Sequence, residues 1–135
     1  MKQWSGHDAT TSAVFLALLL KAQSGGMEFS RSHLMFVTVC EFWAAAMNEA
    51  LQPHLSECAD FRLHSAEVSF RALGLKRAAR ILHRGRNQLK HSHSADSLSR
   101  ISKGMELSLS RLREPVDQEI ARFANAHPCD WLVST

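Results

Sequence analysis

The chain has 135 residues, 45% of them hydrophobic and 21% charged, with a formal net charge of +3. That length suits one domain with its own core, and the composition is that of an ordinary soluble globular protein. Cys40, Cys58 and Cys129 are widely spaced and form no CxxC pair, which argues against a zinc site or a disulfide framework and for free, buried thiols in a reducing cytoplasm.

In chain order, Asp8 or Thr10 caps a first helix that runs to about Ser24, where Gly25-Gly26 stops it. This helix holds the most apolar run, AVFLALLL from Ala13 to Leu20. That run falls far short of the ~20 residues that span a bilayer. MKQWSGHDATTS before it is a poor signal-peptide n-region. The expectation is a buried helix in a cytoplasmic protein with no membrane contact.

Ser30 or Ser32 caps a second helix carrying Leu34, Met35, Val37, Phe42, Trp43 and Met47. It is apolar on more than one face and is therefore the central helix. Pro53 is expected to end it. HLSECADFRLHS has no clean period and reads as an irregular connection, with room for a short turn of helix. Ser65 then caps a third helix, AEVSFRAL, which Gly74 terminates.

Leu75, Ala78, Ala79 and Leu82 fall at i, i+3, i+4 and i+7, the stripe of a fourth helix whose tail Gly85 weakens. KHSHSADS reads as a loop. Leu98, Ile101, Met105, Leu109 and Leu112 mark a fifth helix. Pro115 sits in the first turn of a sixth, where proline is tolerated, and Asp117 and Glu119 complement its dipole. Val116, Ile120 and Phe123 turn inward, His127-Pro128 closes the helix, and Trp131 and Leu132 of the tail dock on the body. The whole predicts an all-α fold, one compact domain over residues 1–135 built as a bundle of five or six helices.

The chain lacks a Walker loop, GxGxxG, GxSxG and HExxH, and it has no tyrosine. No catalytic residue, cofactor or metal is assigned, and the reading is not an enzyme. His83, His91 and His93 come nearest to a ligand group, but Lys90 opposes a cation beside them, and a solvated loop explains them. Asp117 and Glu119 resemble an acid/base pair until drawn on a helix, where residues two apart point in different directions.

Charge is concentrated in the middle. Residues 71–113 hold eleven Lys/Arg against Asp96 and Glu106, whereas residues 1–70 and 114–135 each carry a net charge of −3. Such a basic middle is either a nucleic-acid surface or a set of helices that pair with acidic flanks inside one domain. Lys76, Arg80 and Arg84 recur at i, i+4 and i+8 opposite the apolar stripe, with Arg77 beside them. Gly74 could supply the turn of a helix-turn-helix. The exposed first turn after it offers no Asn, Gln or Ser to read bases, and no aromatics are interleaved for stacking.

The string FRALGLKRAARILHRG, with Ala72-Leu73-Gly74 followed by Ala78-Ala79-Arg80-Ile81-Leu82, resembles the central signature of the bacterial DNA-mimic-protein family. That is a small all-α group whose members read roughly AL-x-x-IG-A-x-x-x-A-x-IL. EPVDQEIARFANAHPCDW resembles the family's closing helix, so the similarity spans residues 36–132. Where members carry Asn-Gly-Gly-Phe, this chain has Asn48-Glu49-Ala50-Leu51, and its turn is expected to continue as helix. The family's acidic, phosphate-imitating surface does not suit a chain with this basic middle. Local mimicry would fall to Glu57, Asp60, Asp117, Glu119 and Asp130.

The resemblance implies a helical fold and a non-enzymatic life spent binding another protein. The expected function is a bacterial protein-binding module that inhibits or regulates a partner by occupying it, the partner being a DNA-binding regulator or a toxin met by an immunity protein. Its candidate binding residues are Lys76, Arg77, Arg80, Arg84 and Arg86 with Glu57, Asp60, Asp117 and Glu119, and a homodimer is one possible state. The alternative is a nucleic-acid-binding protein that uses the same cations and Lys90 across the basic 71–113 region.

Overall fold

The computed structural model of the chain describes residues 31–91 and 94–126. They form six helices and no strand: α1 (Arg31–Met47), α2 (Leu51–Leu55), α3 (Ala59–Ala72), α4 (Lys76–Lys90), α5 (Ala95–Ser110) and α6 (Arg113–Ala126). The expected all-α fold is what the chain adopts. The helix expected before Ser24, its Gly25-Gly26 stop, His93, Cys129, Asp130 and the Trp131 tail lie outside the described residues.

α1 is the central helix because most of its surface is apolar, with only Leu34 and Glu41 exposed among its residues from Leu34 to Met47. Phe36, Val39, Cys40, Phe42 and Trp43 are all buried. Phe70 of α3 meets the edges of Phe42 and Trp43, with ring centroids 5.9 and 6.3 Å away, and Phe123 of α6 stacks on Phe36 at 5.7 Å. Each other helix adds its stripe to the same core: Leu51 and Leu55, Leu63 and Phe70, Ala79 and Leu82, Met105 and Leu109, Val116 and Ile120. The fifth and sixth stripes thus lie as their spacing predicts.

Several local expectations are corrected. Pro53 does not end α1; it is the third residue of α2, where its missing amide falls among groups without a helical partner. α1 ends earlier. Ala50 N–H donates to Ala45 O and Glu49 N–H to Ala46 O, around Glu49 at φ +55°. This is a Schellman stop with glutamate where glycine is usual. The chain therefore turns at Glu49-Ala50 and does not continue as helix. Gly74, at φ +83°, closes α3 by the same pattern, with Leu75 N–H on Phe70 O and Gly74 N–H on Arg71 O.

α3 begins at Ala59, not Ser65. Leu63, Ala66 and Phe70 give it a proper stripe, but Phe61 (72% exposed) and Val68 (40%) point outward and hide the period. α4 runs on through Gly85 to Lys90. Gly85 is buried mid-helix against α5, and a Cβ built there would collide with the Met105 sulfur. The loop after α4 is also shorter than KHSHSADS, because α5 already starts at Ala95, with Ser94 Oγ accepting from Ser97 N–H at 3.1 Å. Cys58 is exposed where a buried thiol was expected, since it occupies the left-handed turn before α3.

A candidate basic interface on α4 and α5

α3 and α4 form an antiparallel hairpin stitched along one seam. Arg86 Nε donates to Asp60 Oδ1 at 2.8 Å and Arg86 Nη1 to His64 Nδ1 at 2.9 Å. Further along the seam, the buried carboxylate of Glu67 takes Arg71 Nη1 at 3.0 Å and His83 Nδ1 at 3.3 Å, while Asn87 Nδ2 donates to His83 Nε2. Arg86 holds the Asp60 carboxyl below the usual carboxylate range by this hydrogen bond. Helices paired along their lengths in this way differ from the crossed pair of a helix-turn-helix. The seam also employs His83 structurally, and His91 lies exposed at the end of α4. Among the described residues no three of His, Cys, Asp and Glu converge as metal ligands would.

The candidate residues therefore separate. Arg86 and Asp60 bind each other at the mouth of a cleft of about 490 Å³ over Leu55, Leu63, Leu89 and Leu98. Lys76, Arg77 and Glu119 line another of about 340 Å³, and Glu119 also pairs with Arg122 at 3.1 Å. Asp117 is not available to a partner. It is buried, it accepts from Trp43 Nε1 at 2.8 Å, and Arg113 Nε lies 3.8 Å from its other oxygen. Glu57 is exposed in the turn after α2.

What remains is a cationic stripe. Arg77, Arg80 and Arg84 recur at i, i+3 and i+7 on the outer face of α4, and all are exposed. Arg100, Gly104 and Ser108 recur at i, i+4 and i+8 along α5, and Arg111 follows at its C-terminal cap. None of these five arginines makes an ion pair among the described residues, in contrast to Arg71, Arg86 and Arg113. Between the two rows runs a groove of about 380 Å³. Arg84 and Gln88 line it from α4, Arg100 and Ser108 from α5, with Ile81, Gly85, Ile101 and Met105 as its floor and Gly104 open on its wall. It contains no carboxylate.

α4 also starts without assistance. Leu75 offers no side-chain cap, the first turn has no acid, and Lys76 and Arg77 stand where the helix dipole disfavours cations. The charge at this end of α4 is thus not there for the helix.

Sequence reasoning missed Arg100 and Gly104, because the groove exists only once α5 lies beside α4. It also missed a smaller cleft of about 180 Å³, where Glu41 of α1, His54 of α2 and Arg62 of α3 meet beside Phe61. Burial raises Glu41, partly offset by Arg62, and burial followed by Arg62 lowers His54. These residues come from three segments with no spacing to link them. The Cys40 thiol is pushed up by its burial and then by Glu41.

No helix among the described residues is long and apolar enough to cross a membrane. Comparison of the chain with protein-family models, with curated proteins and with solved structures finds no match.

Proposed function

We propose that this protein is a non-catalytic binding module that acts by occupying an acidic partner protein, with the α4–α5 face as its interface. One observation supports this most directly: Arg84 and Arg100 rim a groove that contains no carboxylate, and neither they nor Arg77, Arg80 and Arg111 make an ion pair among the described residues, whereas Arg71, Arg86, Arg113 and Arg122 do. An uncompensated face steers an oppositely charged partner and holds it in register. Arginine suits this work because its planar fork takes a carboxylate through two hydrogen bonds. The resemblance to the DNA-mimic family points the same way, toward a regulator or a toxin silenced by occupancy. The acids that would imitate DNA do not form such a surface, since Asp60 and Glu119 are paired and Asp117 is buried.

Nucleic acid is the second reading, favoured by the arginine spacing and by the cationic, uncapped start of α4, which suit phosphates. Fluorescence anisotropy with a labelled poly-glutamate peptide and with duplex DNA, from about 50 to 200 mM salt, separates the two. The proposal expects the peptide to bind and the triple charge reversal R80E/R84E/R100E to abolish that binding. Tighter duplex binding with a steep linear fall of log affinity against log salt would replace it with the second reading.

A further inference from the structure

The groove between α4 and α5 has an apolar floor as well as charged rims, and this narrows the partner's chemistry. We infer that it receives an acidic amphipathic segment of the partner protein, whose carboxylates meet Arg84 and Arg100 while an aliphatic or aromatic side chain between them enters over Ile81, Ile101 and Met105. The inference rests on the proposed role of this face.

Two features carry it. The first is composition. A phosphodiester backbone has nothing to offer Ile81 and Ile101, which are half-buried on the floor, whereas a side chain that covers them gains apolar burial in addition to the ion pairs. At about 380 Å³ the groove lies at the small end of the ~300–1,000 Å³ range of ligand pockets. It suits an anchor side chain, not a whole helix. The second feature is Gly104. It lies on the wall of the groove, in ordinary helical conformation, with no atom within 4 Å of where a Cβ would stand. Nothing in the fold requires glycine there, and its presence in an α-helix costs about 1 kcal/mol relative to alanine. What it provides is space for the occupant.

That space makes the test selective. Gly104→Leu fills the groove from its open side, keeps every charge and improves the helix, so circular dichroism and thermal melting should show an intact fold. Three fluorescein-labelled probes are titrated by anisotropy at about 50 mM salt: a peptide of Glu and Leu at helical spacing, a poly-glutamate peptide of equal charge, and duplex DNA. Wild type should bind the Glu/Leu peptide at least about tenfold more tightly than poly-glutamate. Gly104→Leu should erase that preference and leave poly-glutamate binding unchanged, while R84E/R100E should weaken both. Equal binding of the two peptides, or no effect of Gly104→Leu, overturns the groove inference and leaves the acidic-partner reading standing. Tightest binding of the duplex overturns both in favour of nucleic acid. Absence of binding by all three probes removes the face itself as an interface.

Discussion

The indole Nε1 of Trp43 donates to the carboxylate of Asp117 at 2.8 Å, joining α1 to α6 across 74 residues of sequence inside the core. A fully buried indole N–H without an acceptor costs about 1–3 kcal/mol. Asp117→Ala should therefore destabilise by roughly that amount in urea unfolding. Asp117→Asn, which keeps an acceptor oxygen at the same place, should lose clearly less. Equal losses would mean that the carboxylate serves Arg113 more than Trp43.

Two helices end on left-handed residues, one suited to the task and one not. Gly74→Ala places a Cβ at φ +83°, where no neighbour obstructs it but the backbone is strained, and should cost about 1–2 kcal/mol. Glu49→Gly should move stability in the opposite direction, because Glu49 already carries that strain at φ +55°. Thermal melts of the two variants ought to shift to opposite sides of wild type, and a fall for both would show that the Glu49 side chain contributes more than its backbone costs.

Gly85 and Gly104 look alike in the sequence and should answer differently to alanine. At Gly104 the change should stabilise by up to about 1 kcal/mol through helix propensity. At Gly85 the new methyl must displace the buried Met105 thioether, and overpacking of this kind costs about 1–3 kcal/mol. In a double-mutant cycle, shortening Met105 to alanine should recover part of the Gly85→Ala loss, since the two share one contact. Additive losses would rule out that contact as the cause.

His54 carries a pH dependence of definite sign. Burial, then Arg62, lowers its pKa in the folded state from the ordinary 6.5, with Glu41 of α1 on the same cleft and Phe42 edge-on to its ring at 5.8 Å. A depressed imidazole contributes stability above the unfolded value and loses it as pH falls through 6.5 toward the folded one. Glu41, raised from 4.5, acts oppositely: its contribution is present at low pH and fades as pH climbs through its folded value. Urea unfolding between about pH 7.5 and 5.5 should thus show wild type losing stability relative to His54→Gln as the solution is acidified. A constant difference across that window would exclude a shifted His54.

The helical class and most of the core could be read from periodicity alone, because α4, α5 and α6 each gather most of their apolar residues on one stripe, with exposed Leu107 and buried Asp117 as departures. α3 escaped for the converse reason. Phe61 and Val68 are exposed, so its apolar residues mark two faces and the period blurs. The fate of individual charges was not legible. Arg84 and Arg86 look equivalent on the chain, and what divides them is that Asp60 and His64 sit on one side of α4 and α5 on the other. Asp117 read as a solvent-facing dipole partner, since nothing local reveals an indole 74 residues away.

Arg84, Gly85 and Arg86 follow one another along α4, and each successive residue turns about 100° around the helix. The first looks onto the open groove, the second into Met105, the third onto the α3 seam. A substitution scan through this tripeptide should therefore return three unrelated phenotypes in a row: lost affinity with normal melting, lowered melting whatever the ligand, and a loosened hairpin with little change in either. Averaging such a scan over a sliding window would erase the interface, and sorting it by helical angle would recover it.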